Sequence, residues 1–173
     1  MNAFAHLLVL PLLALSACGQ DYRNTEIPVM ETAPEEPTEF VEKSDEEWKK
    51  ELTPEQYAVL RHEATEPPNG PLYQKFKKHG DGNYHCAGCG AVLFESSTKF
   101  DSGTGWPSFW DVAKAENIKL KTDNKLGYTR NEVVCGKCDG HLGHLFEGEP
   151  YGNPKDNRYC INGVALTFVE KSE

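Results

Sequence analysis

The chain has 173 residues, with 18 Lys and Arg against 27 Asp and Glu, a formal net charge of -9. That length supports one modest domain plus extras, and about 120 residues suffice to bury a core, more securely with a metal. Residues 21–51 carry eleven acids and four bases, a net of -7, which leaves -2 over residues 52–173. A near-neutral domain with no basic tract argues against nucleic-acid binding, which needs clustered Lys and Arg to neutralise phosphates.

Leu7 to Leu15 is almost entirely apolar. It is too short to span a bilayer but fits the apolar region of a signal peptide. Leu15-Ser16-Ala17-Cys18 comes next and resembles the lipobox of bacterial lipoproteins, in which the cysteine is lipidated and becomes the mature N-terminus. No positively charged segment precedes the apolar run. An ordinary cleaved signal peptide with an incidental cysteine, or a buried N-terminal helix, are the alternatives. Gly19 after the cysteine leans toward the outer membrane if the cell has one, so an exported, membrane-anchored location is expected. Residues 18–43 then read as a lipidated cysteine and a disordered acidic tether. Pro28, Pro34, Pro37 and six glutamates cannot bury enough apolar surface to offset ordering entropy. The partition expected is a signal peptide over 1–17, the tether over 18–43 and a folded domain over 44–173.

Two short helices are predicted next. Ser44-Asp45-Glu46-Glu47 and Thr53-Pro54-Glu55-Gln56 both have the capping-box pattern, the second with proline at the first helical position. Pro67-Pro68-Asn69-Gly70-Pro71 reads as a turn-rich exit, leaving the helices as a lid or brace on the rest of the domain. From Tyr73 onward the pattern is short strands and Gly-rich turns. The candidates are Val92-Leu93-Phe94, Ile118-Lys119-Leu120, Gly127-Tyr128-Thr129, Glu132-Val133-Val134, His144-Leu145-Phe146 and Val164 to Phe168. No βαβ rhythm appears, so a mainly β, mostly antiparallel domain is expected.

The chain has six cysteines, four of them in Cys86-Ala87-Gly88-Cys89 and Cys135-Gly136-Lys137-Cys138. Two such knuckles suit one closed, structural zinc site per chain, joining two distant β segments. Disulfides or redox-active pairs are the alternatives. With Cys18 in the export segment, Cys160 is left without a partner. It lies in Arg158-Tyr159-Cys160-Ile161-Asn162, where a cation two residues away favours the nucleophilic thiolate. Trp106 and Phe109, on a loop fixed by glycine and proline, offer aromatic faces for apolar sulfur and methyl groups. His141 and His144 can shuttle a proton near neutral pH, but residues three apart on a strand reach one site only if the backbone bends. Asn162 can donate to a bound oxygen or position a histidine. An inert zinc-supported binding module remains the rival.

Taken together, the paired Cys-x-x-Cys elements, Ser-Gly-Thr-Gly-Trp-Pro-Ser-Phe (102–109), His-Leu-Gly-His-Leu-Phe (141–146) and Arg-Tyr-Cys-Ile-Asn (158–162) resemble the peptide methionine-R-sulfoxide reductases. The resemblance runs from about Tyr57 to Phe168. It implies two antiparallel β-sheets with a four-cysteine zinc site, and reduction of the R epimer of methionine sulfoxide in peptides or proteins. It casts Cys160 as nucleophile and Trp106 as the wall for the substrate methyl. His141, His144 and Asn162 would surround the sulfoxide oxygen, with Arg158 in the polar surroundings of the thiol. Many members carry a resolving cysteine in Ser-Gly-Cys-Gly-Trp, where this chain has Thr104. A Cys160 sulfenic acid would therefore be reduced by an external thiol, such as a thioredoxin-like protein. A monomer is expected.

Overall fold

The computed structural model describes residues 27–171, so the expected signal peptide and the Cys18 lipidation site lie outside the described residues. Among the described residues no helix is long and apolar enough to cross a membrane. The two predicted helices form at the predicted starts. In α1 (Asp45–Glu51) the Ser44 side chain accepts from the Glu47 amide and Glu47 returns the bond to the Ser44 amide. Thr53 and Gln56 repeat the exchange at α2 (Pro54–His62). Each box satisfies two backbone N–H groups that a helix start would otherwise leave open. A third helix, α3 (Pro71–Phe76), stands where the turn-rich exit ends. Proline at its first position lacks an N–H the helix would not have used, and Leu72, Tyr73 and Phe76 are buried beneath it.

The strands form two sheets. The four-stranded sheet runs β1 (Val29–Met30), β10 (Leu166–Glu170), β2 (Gly82–Cys86), β3 (Val92–Glu95). The six-stranded sheet runs β4 (Lys99–Phe100), β5 (Ser108–Phe109), β9 (Asn157–Ile161), β8 (His141–Glu147), β7 (Arg130–Cys135), β6 (Ile118–Asp123). Every pairing is antiparallel except β1 with β10. The fold is mainly β with two sheets, as expected. Two strand expectations are corrected. Gly127-Tyr128-Thr129 lies in the turn joining β6 to β7, where Gly127 takes φ +80. Val164 and Ala165 belong to a 3-10 turn, and β10 starts only at Leu166.

The sheets meet over aromatic side chains. Phe94 of β3 stacks on Phe109 of β5 at 4.3 Å and 8°, and Tyr84 and Phe76 meet Phe109 edge-on. α2 lies over both cysteine knuckles, with Arg61 donating to the Cys138 carbonyl at 2.9 Å, so the first two helices act as a brace. The expected disordered tether differs from the structure over residues 27–43. Ile27 is buried, and Val29 pairs with Phe168 in the sheet. Glu36 forms an ion pair with Lys114 and accepts from Asn117, while the Val41 amide donates to the Lys137 carbonyl. Composition showed an acidic segment poor in core residues. It did not show that the body offers a cation, an amide and a free strand edge to receive it.

Candidate active site

The metal centre joins the two sheets. Cys86 ends β2 and Cys135 ends β7, and each begins a turn in which the residue four places on bonds back to it. The amides of Gly90 and Asp139 donate to the carbonyls of Cys86 and Cys135 at 2.9 Å each. Gly90 makes its turn at φ +81, a region where a side chain is strained. The four sulfurs lie within 4.8 Å of one another, with Cys86–Cys138 at 3.8 Å and Cys89–Cys135 at 3.5 Å. A tetrahedral zinc with Zn–S bonds of about 2.3 Å requires sulfurs about 3.8 Å apart, so the donor set fits. All five described cysteines are free of disulfides. Four thiolate ligands close the coordination shell, which makes this zinc structural.

The second site forms on the six-stranded sheet, where β9 runs between β5 and β8. Their registers place Ser108 on one side of Cys160 and His144 on the other. Directly opposed residues share a face, so the thiol and the imidazole point the same way. Alternation then turns Phe109 to the other face, where it is fully buried in the aromatic core. Phe109 is therefore not a wall of the substrate pocket, contrary to expectation.

The bend that would bring both histidines together is present. The β7–β8 register shifts between Val133 and Val134, so that Val133 opposes Gly143 and Val134 opposes His141. This bulge inserts Leu142 and brings the His141 and His144 rings to 5.7 Å. Asn162 pins it: its backbone amide and its side-chain Nδ2 both donate to the Leu142 carbonyl, at 2.8 and 3.1 Å. Of the two roles open to Asn162, the structure shows it holding the histidine-bearing segment.

Each histidine has a carboxylate partner that no motif in the sequence marks. His141 Nδ1 is 2.7 Å from Glu132 Oε1, and His144 Nε2 is 2.9 Å from Asp123 Oδ2. Such bonds fix tautomer and ring direction, leaving Nε2 of His141 and Nδ1 of His144 outside the carboxylate pairs. Burial lowers the His141 pKa against the pull of Glu132, which keeps it neutral at neutral pH. Asp123 is held well below the usual carboxylate range by bonds from the Lys125 amide, His144 and Arg130. The only sequence signal for these acids was their place on strands flanking the histidine motif.

Around Cys160 the structure modifies one expectation. Burial pushes the thiol above its ordinary pKa, while the Arg158 charge and bonds from Thr104 and Arg158 pull it down without prevailing. Arg158 is itself committed, donating from Nε and Nη2 to Glu149 at 2.6 and 2.9 Å and lying 4.3 Å over Phe146. The resting group is therefore a thiol rather than the expected thiolate. Thr104 also bonds Ser102 at 2.8 Å, and Ser102 bonds Ser108. A cavity of about 350 Å³ opens here, lined by Trp106, His141, His144, Cys160 and Asn162, with Leu126 and Phe146 as further apolar wall. The Trp106 ring is held by its Nε1–H, which donates to the Glu66 carbonyl at 2.9 Å.

A thiol, two carboxylate-held imidazoles and an indole share one cavity on a metal-stapled β domain, the arrangement of a cysteine-dependent redox enzyme. The family model described as the SelR domain matches residues 52–170. The chain is 54% identical over 134 residues to "Peptide methionine sulfoxide reductase MsrB" of Methanosarcina barkeri, covering 77% of this chain and 91% of that relative. It is 51% identical over 132 residues to the MsrB of Leptospira interrogans, covering 76% and 97%. It is 47% identical over 129 residues to "Peptide methionine sulfoxide reductase B8" of Arabidopsis thaliana, covering 74% and 86%. The chain belongs to the SelR domain family. Among solved structures, the "Yippee-like" domain of Mis18 resembles it at TM-score 0.44 and 13% identity, over 54% of this chain and all of that one.

Proposed function

We propose that this cavity reduces the R epimer of methionine sulfoxide in peptides and proteins, with Cys160 as nucleophile. The chain is an oxidoreductase acting on methionine sulfoxide, as its relatives at about half identity are named. The observation that carries the finer reading is the register of β8 and β9, which sets His144 directly across from Cys160 beside Trp106. The Cys160 sulfur attacks the sulfoxide sulfur. His144 takes the thiol proton and delivers it to the oxygen as that oxygen moves to Cys160. The S–H and S=O bonds are exchanged for S–O and O–H, giving methionine and a Cys160 sulfenic acid. Two equivalents of an external thiol then return Cys160 to the thiol, with loss of water and formation of their disulfide. The gathering of the other four described cysteines at the metal site supports an external reductant. One epimer places its methyl on the indole and its oxygen toward the histidines together. The other leaves a polar oxygen against Trp106, at about 1–3 kcal/mol for the lost hydrogen bond.

Export as a monomeric lipoprotein anchored through Cys18 belongs to the same reading and is supported by the apolar run and lipobox-like residues 7–18. The test of the activity is single turnover. Reduced, zinc-loaded protein is mixed with a peptide containing R-methionine sulfoxide and no other reductant. One methionine per chain, with one oxygen added to the Cys160 peptide, is expected. A disulfide to Cys160 would overturn the external-thiol step. No methionine from either epimer, with zinc bound, would overturn the activity itself.

A further inference from the structure

Glu66 lies on the segment between α2 and α3 and is only 3% exposed, yet among the described residues no charged side chain offsets its burial. Its carboxylate accepts from two backbone amides, Gly163 at 2.8 Å and Val164 at 2.9 Å, the first residues of the turn after β9. Its own amide donates to Asn162 Oδ1 at 3.0 Å, and its own carbonyl accepts from Trp106 Nε1. Four bonds from one residue thus reach the indole, the Asn162 amide and the chain three residues beyond Cys160. The same segment is stitched once more to the Trp106 loop. The Asn69 amide donates to the Gly105 carbonyl at 2.9 Å, so closely that a side chain at Gly105 would sit 2.7 Å from the Asn69 nitrogen.

We propose that Glu66 is a positioning residue for the reduction: its side chain clamps the 65–70 segment onto the turn after Cys160, and its main chain thereby sets Trp106 and Asn162 relative to the thiol. This rests on the activity proposed above. The two halves of Glu66 do different work. The carboxylate fixes where the segment sits, and the peptide groups translate that position into the direction of the indole and the hold on Asn162. A buried carboxylate is a costly way to satisfy two amides. Burial pushes Glu66 up to about 7, and the bonds from Gly163 and Val164 are the groups that oppose it. A brace alone needs no such group, because an apolar side chain of similar volume and a turn closed on itself leave nothing charged underneath. The convergence on the two residues that flank the cavity gives the carboxylate its reason.

The consequence concerns discrimination rather than thiol reactivity. Epimer choice requires the methyl wall and the groups around the oxygen to be right simultaneously, and both hang on Glu66. The test is Glu66→Gln. Its amide nitrogen would face one of the two backbone N–H groups, donor against donor, so one of the two clamps opens. Steady-state reduction of R- and S-sulfoxide peptides is measured with zinc content and Tm. A KM for the R peptide raised about tenfold, and an R-over-S ratio of kcat/KM lowered about tenfold, are expected, the worth of one buried hydrogen bond. Glu66→Asp keeps both acceptors on a shorter arm and restores part of the ratio, leaving it about threefold low. If Glu66→Gln does not fold or bind zinc, Glu66→Asp decides by the same two readouts. A variant that keeps the wild-type KM and epimer ratio, and loses only Tm or active fraction, overturns the inference and leaves the activity standing. Wild-type protein that reduces neither epimer overturns the activity, and the inference with it.

Discussion

Gly143 is the point where the geometry of the proposed catalytic pair, His144 and Cys160, is most sensitive to a single carbon. It lies between the two histidines and opposes Ile161, and a Cβ built on it would stand 2.0 Å from the Cys160 carbonyl oxygen. Real Cβ atoms essentially never approach within 3.0 Å, and the obstacle is backbone, which cannot swing aside. Gly143→Ala therefore forces β8 and β9 apart by about 1 Å. A ladder bond of about 2.9 Å then exceeds hydrogen-bond range. Two such buried bonds opened on either side cost about 2–5 kcal/mol, a large part of the 5–15 kcal/mol that holds a typical domain. The same displacement moves His144 away from Cys160, and about 1 Å of misplacement at a reacting pair costs on the order of a hundredfold in rate. Urea unfolding and kcat/KM on the sulfoxide peptide measure the two effects. Gly148→Ala is the control. Gly148 has a φ of +75 and nothing within 4 Å of a Cβ placed on it, so only the backbone term of about 1 kcal/mol applies. Equal, small losses in both variants would refute the argument that close strand approach sets the site.

Two further outcomes are expected. Phe109→Leu should lower stability by about 1–2 kcal/mol, a fraction of the 3–5 typical of truncating a buried Phe to Ala, and leave KM for the sulfoxide unchanged in the folded protein; a raised KM would return Phe109 to the pocket. His79 stacks on Phe168 at 4.3 Å, and burial, with the Lys99 charge beside it, pushes its pKa down to about 4 from 6.5. The unfolded chain therefore takes up the proton first. The stability this residue contributes is complete above about pH 6.5 and is lost as pH falls toward 4. Tm measured from pH 7.5 to 4 should fall less steeply in His79→Phe than in the wild type, and parallel curves would show that His79 does not carry that slope.

The parts of the molecule that were legible in the sequence are those whose partners lie within a few residues. Both capping boxes exchange bonds across three positions, so Ser44, Glu47, Thr53 and Gln56 announced their helices. The metal centre was legible for a related reason: thiolate spacing within each knuckle is local, and only the pairing of the two knuckles is not. Cys160 followed by elimination. The strands were less legible, because most are five residues or fewer and a buried sheet blurs the alternation that marks a strand. Gly127 to Thr129 carried an aromatic and a β-branched residue, yet chain reversal claimed them.

How these pieces act together depends on contacts between distant parts of the chain. The Leu142 bulge turns His141 and His144 to one side, and no local pattern encodes a register shift between β7 and β8. Strand alternation sent Ser108 to the thiol and Phe109 to the core, a choice set by the β5–β9 pairing. Asp123, Glu132 and Glu66 read as ordinary acids until folding buried them against His144, His141 and the amides after Cys160. The thiol's resting protonation went the same way. Arg158 two residues away favours a thiolate, but desolvation depends on everything packed around the sulfur and outweighs it. Which chemical groups the protein owns and which short helices it forms follow from residue type and neighbours three or four places away. Which groups meet, and in what charge state, required the register of the sheets, because burial and strand pairing are properties of contacts between distant parts of the chain.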